Sequence, residues 1–162
     1  LQQSRKLIEQ MLEKDEHNLY YIDVYTDILL AQKEYQLCLD MLEQQYLLRP
    51  NNQVVTLNYA NAALTSGAPR LAIHLLKSLL FYKSDNILAY DLLSEAYKAV
   101  GDFARFYEAR ADLSYQRADY PRAIDDLNEA LNHLKPEEKL ENRRLEAKKR
   151  QLQTEFDRLR RM

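Results

Sequence analysis

Apolar and small residues recur along this chain with a period of 34 residues, and within each period they follow helical spacing. Counting from Leu19, the large side chains of Ile22, Tyr25 and Leu29 share one helix face, and a second apolar face follows after a short polar turn. The count restarts at residue 53 and again at residue 87. The slots are filled by Ile22, Tyr25, Thr26, Leu29, Cys38 and Leu42, then by Tyr59, Ala60, Ala63, Gly67, Ala72 and Leu76, then by Tyr90, Leu93, Ser94, Tyr97 and Gly101. The pattern predicts stacked pairs of antiparallel helices.

This arrangement of large and small slots resembles the tetratricopeptide (TPR) repeat, in which small residues let the two helices of a pair approach closely. The resemblance predicts repeats at residues 19–52, 53–86 and 87–117, and an all-α, TPR-like right-handed solenoid. Residues 1–15 fit the second helix of a truncated repeat. We therefore expect residues 1–162 to be a single TPR domain cut from a longer protein.

After Gly101 the repeat frame slips by half a period. The small slot of the next second helix falls on Ala123, which is one and a half periods after Ala72. The helix that begins at Phe103 is therefore expected to be shared, as second helix of one pair and first helix of an overlapping final repeat at 104–135. A long capping helix is predicted at 137–162, with an apolar stripe of Leu140, Leu145, Leu152, Phe156 and Leu159.

Composition narrows the fold class to all-α. The chain has 2 Gly and 4 Pro, too few turn formers for a β-sandwich or barrel. With 46% hydrophobic and 30% charged residues it is predicted to be globular, and no apolar run has the length of a membrane span. The charge is uneven: the body is acidic, whereas the tail from Glu138 onward is basic.

No catalytic, cofactor or metal residue is predicted in these 162 residues. His17, His74 and His133 are far apart in sequence, so the two-histidine motif H-E-x-x-H of zinc proteases is absent. Cys38 occupies a small inward slot, which favours a core thiol over a nucleophile. The basic tail lacks interleaved aromatic residues, which favours a solvated helix face over nucleic-acid binding.

The repeat register predicts a partner-binding groove along the first helices. Its candidate lining residues are Tyr20, Asp23, Asp27, Leu57, Asn61, Asp91, Glu95, Glu108 and Asp112. Because most polar positions are carboxylates, the groove is expected to accept basic or aromatic-rich polypeptide segments. The alternative is that these carboxylates merely solvate an exposed face.

Several stretches resemble one TPR group, the C-terminal domain of periplasmic β-barrel assembly-enhancing proteases. They are Tyr21-Ile22-Asp23, Leu57-Asn58-Tyr59-Ala60-Asn61-Ala62, Asp91-Leu92-Leu93-Ser94-Glu95-Ala96, Glu108-Ala109-Arg110-Ala111 and Arg144-Leu145-Glu146-Ala147. The resemblance implies a noncatalytic interaction domain of a periplasmic, M48-type zinc metalloprotease that acts in outer-membrane protein assembly and quality control. Zinc is expected in the parent protease domain and not in this segment. The implied partners are the outer-membrane assembly machinery, unfolded β-barrel clients and the parent's own protease domain, with no nucleic acid and no membrane span. The alternative is a stand-alone TPR scaffold or envelope assembly factor with no attached enzyme.

Four residues depart from the usual TPR pattern, and one of them is Gln45, which stands where Ala is usual. Lys33 and Ala118 stand where Gly is usual, and Arg110 stands at an apolar slot. A buried guanidinium needs a carboxylate partner. Asp91, Glu95 and Asp125 are the candidates, and the sequence does not choose between them.

Overall fold

The fold is described from a computed structural model that covers residues 2–161. Leu1, the first residue of the predicted segment 1–15, and Met162, the last residue of the predicted segment 137–162, lie outside the described residues. The helices of the described part are α1 (Gln2–Lys14), α2 (Leu19–Ala31), α3 (Tyr35–Leu48), α4 (Gln53–Thr65), α5 (Pro69–Tyr82), α6 (Ile87–Ala99), α7 (Phe103–Gln116), α8 (Tyr120–Asn132) and α9 (Lys139–Leu159). Residues 2–161 contain no β-strand, so the all-α prediction is confirmed.

Asparagine caps mark the start of each first helix. Asn18, Asn52 and Asn86 precede α2, α4 and α6, and each side-chain oxygen accepts a backbone N–H from the first turn of its helix. Such a cap satisfies a donor that the helix leaves without an internal partner. Because successive caps are 34 residues apart, the capping residues follow the same repeat period as the apolar slots.

Four helix ends share one hydrogen-bonded turn with a residue in the left-handed region. The φ angles are +61° at Lys33, +81° at Gly67, +75° at Gly101 and +58° at Ala118. After Lys33, for example, the Glu34 N–H donates to the Leu29 carbonyl at 2.9 Å, and the other three turns repeat this bond. Glycine adopts this conformation without steric cost, whereas Lys33 and Ala118 adopt it against the preference of a residue with a Cβ.

The chain forms two compact units, residues 1–79 and 80–162, and each is described by itself. In the first unit, the fully buried residues include Leu29, Cys38, Ala60, Ala63 and Ala72. The Cys38 thiol donates to the Thr26 carbonyl at 3.7 Å, and burial raises the pKa of Cys38 to about 11. Cys38 is therefore a core residue that stays protonated, in agreement with the sequence interpretation.

In the second unit, α7 packs against both α6 and α8, which confirms the shared helix. Its core contains the buried residues Ala111, Ala123, Leu127, Ala130, Leu145 and Leu152. The alanines allow the helix axes to approach closely, and the two leucines bring α9 onto the same core.

The predicted apolar stripe of α9 is only partly correct. Leu145 and Leu152 are buried, but Leu140 is 80% exposed and Leu159 is 49% exposed. Leu140 lies on the opposite side of the helix because five residues at about 100° each turn it away from Leu145.

Candidate functional site

In the first unit, α2 and α4 carry the candidate groove residues. Asn58 of α4 donates to the Asp23 carboxylate of α2 and joins the two helices. Tyr20 is 70% exposed, and Asp27 and Asn61 are also exposed. Tyr20, Asp23 and Asp27 thus give α2 an acidic face with an aromatic residue at its start.

The two carboxylates of α2 stand one turn apart and repel each other. Partial burial raises the pKa of Asp27, and the charge of Asp23 raises it further. A cation placed on this face would relieve the repulsion. Leu57, predicted to line the groove, is instead only 9% exposed and belongs to the core.

In the second unit, α6 presents a similar acidic pair. Asp91 and Glu95 are exposed one helical turn apart, and Leu88 beside them is 62% exposed. Among residues 2–161, the ion-pair partner of Glu95 is Lys98, and the pair is long, with the Nζ and Oε2 atoms 3.9 Å apart. Both carboxylates therefore remain accessible to solvent.

Glu108 and Asp112 on α7 have ionic partners inside the chain. The Arg144 guanidinium donates to both oxygens of Glu108 at 2.6 Å, and Lys148 lies 3.1 Å from Glu108 and 2.7 Å from Asp112. We call Glu108, Asp112, Arg144 and Lys148 the α7–α9 clamp. The groove predicted at α7 is therefore covered by α9, and its carboxylates are not free to meet a partner in this arrangement.

The pKa values within the clamp differ in direction. Burial raises the pKa of Glu108, but the bonds from Arg144 and the charge of Lys148 outweigh it and bring the pKa to about 2. For Asp112, burial raises the pKa, and the nearby Lys148 only partly offsets that effect. Glu108 is thus the carboxylate that the clamp holds most firmly in its charged form.

The ion pair of Arg110 corrects the sequence analysis. The Arg110 guanidinium lies 3.2 Å from Asp126 of α8, and not on Asp91, Glu95 or Asp125. Asp126 is 6% exposed, and its second carboxylate oxygen has no hydrogen-bond partner among the described residues. Arg110 also lies over the rings of Phe106 and Tyr107, with Cζ 5.4 and 5.6 Å from the ring centroids, and the faces of these rings attract the cation.

Within residues 2–161, no three or more His, Cys, Asp and Glu side chains are placed to hold a metal ion. The same residues contain no helix with the length and apolar character needed to span a bilayer.

Sequence reasoning missed the clamp, although a signal was present. Glu108 and Asp112 are four residues apart, and so are Arg144 and Lys148. Matching spacings of opposite charge on two helices indicate that the helices can pair side by side.

Comparisons with known proteins agree with this architecture. No protein-family model matches the chain. The beta-barrel assembly-enhancing protease of Escherichia coli K12 is 31% identical over 133 residues, and that of Yersinia pestis is 28% identical over 133 residues. These alignments cover 82% of this chain but only 27% of each relative, so the chain spans about a quarter of their length. The resemblance to this protease group is confirmed.

Solved structures support the fold class. A structure titled "MamA 41-end from Desulfovibrio magneticus RS-1" matches with a TM-score of 0.63 and 16% identity, over 96% of this chain and 87% of that one. A structure titled "MamA RS-1 ArsTM double mutant" matches with the same score over 98% of this chain and 86% of that one. At this identity the match shows the fold alone, which is a TPR-like helical solenoid.

Proposed function

We propose that this chain is a noncatalytic interaction domain of a β-barrel assembly-enhancing protease, and that it captures basic polypeptide segments on its acidic first-helix faces. The observation that carries the proposal is the 31% identity to such a protease over 133 residues. Since those residues are about a quarter of the relative, the proposal assigns binding to this segment and proteolysis to the rest of the parent protein.

The acidic pairs on α2 and α6 are the proposed capture surfaces. Asp23 and Asp27, and Asp91 and Glu95, have the same four-residue spacing as Glu108 and Asp112. At α7 the chain itself supplies a helix with Arg144 and Lys148 four residues apart. The clamp therefore favours the proposal that each acidic pair binds a partner that presents two cations one helical turn apart.

Apolar neighbours add contact area to these charges. Tyr20 is 70% exposed beside the α2 pair, and Leu88 is 62% exposed beside the α6 pair. A solvent-exposed ion pair contributes only about 0–1 kcal/mol. Aromatic and aliphatic contacts are therefore needed for useful affinity, which favours partners that combine cations with apolar side chains.

Charge reversal tests these surfaces. We expect a variant with Asp23, Asp27, Asp91 and Glu95 all changed to Lys to lose partners that the unaltered chain retains from a cell-envelope extract. The matched control reverses the exposed acids Asp40, Glu43, Asp125 and Glu129, which shifts net charge equally. Circular dichroism verifies that both variants remain helical. Equal retention by both variants would place the site elsewhere.

The parent protein is proposed to be a periplasmic zinc metalloprotease whose clients and partners belong to outer-membrane protein assembly. The relatives are named beta-barrel assembly-enhancing proteases, and this supports a role of the parent protein in β-barrel assembly. Reading the complete gene tests it. A secretion signal and an H-E-x-x-H motif upstream are the expected result, and a reading frame that lacks both would instead support a scaffold with no attached enzyme.

A further inference from the structure

The outer face of α9 carries a row of arginines. At about 100° per residue, the residues on the side opposite Leu145 and Leu152 share one face. Within α9 they are Leu140, Arg143, Ala147, Arg150, Thr154 and Arg158; Arg161 follows in the turn after the helix, and all seven are exposed. From Arg143 to Arg158 the row follows the helix for about 23 Å, and Arg161 lies just beyond its end. Because the buried leucines fix the rotation of α9, the arginines are held on its solvent side.

Charge on α9 is segregated between its two sides. Arg144 and Lys148 lie toward α7 and are matched by Glu108 and Asp112. Glu155 also faces inward, where it accepts the Tyr120 hydroxyl at 2.7 Å. Within residues 2–161, by contrast, no carboxylate lies within ion-pair distance of Arg143, Arg150, Arg158 or Arg161. The outer row therefore carries four arginines without an ion pair and has a net positive charge, with Asp157 as the carboxylate beside its C-terminal end.

The net charge of the second unit does not account for the positive charge of this face. Residues 80–161 contain 16 Lys and Arg and 16 Asp and Glu, so the unit is neutral as a whole. The face is positive because its arginines lie together on one side of α9, and not because the unit carries a net positive charge. A surface of this kind attracts an anionic partner over about a Debye length, roughly 10 Å at moderate ionic strength.

We propose that the outer face of α9 docks on the surface of a bilayer that contains anionic phospholipids. Within α9, Arg143, Arg150 and Arg158 are separated by about 10 and 12 Å along the helix axis, an irregular spacing that does not match the regular phosphates of a nucleic acid. Lipid headgroups move laterally and adapt to such spacing. The row also lacks aromatic side chains for base stacking, whereas Leu140 is 80% exposed at one end and can enter the interfacial layer.

One end of the row is shaped to receive a headgroup phosphate. Thr154, Asp157, Arg158 and Arg161 surround an open depression there. The two guanidinium groups and the hydroxyl can donate to a phosphate monoanion or diester. The Asp157 carboxylate opposes a second negative charge, which favours the diester of a phosphatidylglycerol over free inorganic phosphate.

Vesicle flotation with the full chain tests the proposal. We expect binding to vesicles of phosphatidylcholine with one third phosphatidylglycerol, and no binding to pure phosphatidylcholine. Each arginine near an anionic surface changes partitioning by about five-fold, so replacing Arg143, Arg150, Arg158 and Arg161 together by Gln lowers it at least about a hundred-fold. Inorganic phosphate at the same phosphate concentration competes weakly.

A matched variant distinguishes the effect of the α9 face from the effect of the total charge of the chain. Replacing the exposed cations Lys6, Lys14, Arg70 and Lys77 of the first unit by Gln removes the same total charge and leaves α9 intact. This variant is expected to float like the unaltered chain, and circular dichroism verifies the helicity of both. Equal loss in the two variants, absence of binding to anionic vesicles, or stronger binding to an oligonucleotide or an acidic peptide than to vesicles would each overturn the proposal. Because no residue of the acidic faces is changed, the outcome is independent of the proposed partner capture.

Discussion

Replacing Glu108 by Gln is expected to destabilise the second unit by about 3 kcal/mol at neutral pH. The Glu108 side chain is 16% exposed, accepts two 2.6 Å bonds from Arg144 and lies 3.1 Å from Lys148. Its pKa is about 2 in the folded chain, whereas the ordinary pKa of a glutamate is 4.5. Since one pKa unit corresponds to about 1.4 kcal/mol, the charged form stabilises the fold by about 3 kcal/mol.

The pH dependence follows from the direction of the shift. A lowered pKa means that the unfolded chain binds the proton first as the pH falls. The contribution of Glu108 is therefore fully present above about pH 5 and is lost progressively toward about pH 2. The glutamine variant lacks this titration, so the difference in stability between the two proteins should shrink over the same interval.

Urea unfolding followed by circular dichroism at a series of pH values measures the difference. Glu129→Gln on the exposed side of α8 is the matched control and should change stability by less than about 0.5 kcal/mol. A cost for Glu108→Gln below about 1 kcal/mol at neutral pH, or a cost that does not fall with pH, would refute the assignment of a stabilising clamp.

Three further predictions are checked by the same urea titration. Lys33→Gly and Ala118→Gly, at φ values of +61° and +58°, should each raise the free energy of unfolding by about 1 kcal/mol. Gly67→Ala should lower it, because the φ of Gly67 is +81°, although no atom crowds the new Cβ. Changes of the opposite sign would contradict the left-handed turns. Replacing the cap residues Asn52 or Asn86 by Ala should each cost about 1 kcal/mol, whereas changing the exposed Asn128 should cost almost nothing. Arg110→Met alone should lower the free energy of unfolding more than Arg110→Met combined with Asp126→Leu, because the single change leaves a buried carboxylate without its cation. If the effects of the two substitutions on stability are additive, the pair is not coupled.

The repeat period made most of the fold predictable from sequence. Alanines and glycines at fixed offsets identified the shared helix α7, because the position of Ala123 shows a half-period slip that only a helix used twice can produce. The left-handed turns at Lys33 and Ala118 were also predictable, since the register requires them whether or not glycine is present. Local periodicity therefore determines the order of the helices and the placement of their turns.

The ionic partners were less predictable, because they depend on how one helix is rotated against another. Asp125 and Asp126 differ by about 100° around α8, and only the packed structure shows that Asp126 meets Arg110. The sequence likewise left Glu108 and Asp112 in an open groove, since nothing in the repeat register states that α9 would return over α7. Leu57 became a core residue for the same reason: the groove position was assigned from register, and its burial depends on neighbouring helices.

Site-specific photocrosslinking in cells tests the capture of polypeptides on the acidic faces most directly. A photoreactive amino acid placed at Tyr20 is compared with one placed at Leu47 of α3, since the two side chains are 70% and 71% exposed. We predict that position 20 crosslinks to a polypeptide partner, and that the crosslink disappears when Asp23 and Asp27 are changed to Lys. A crosslink at position 47 with none at position 20 would contradict the account.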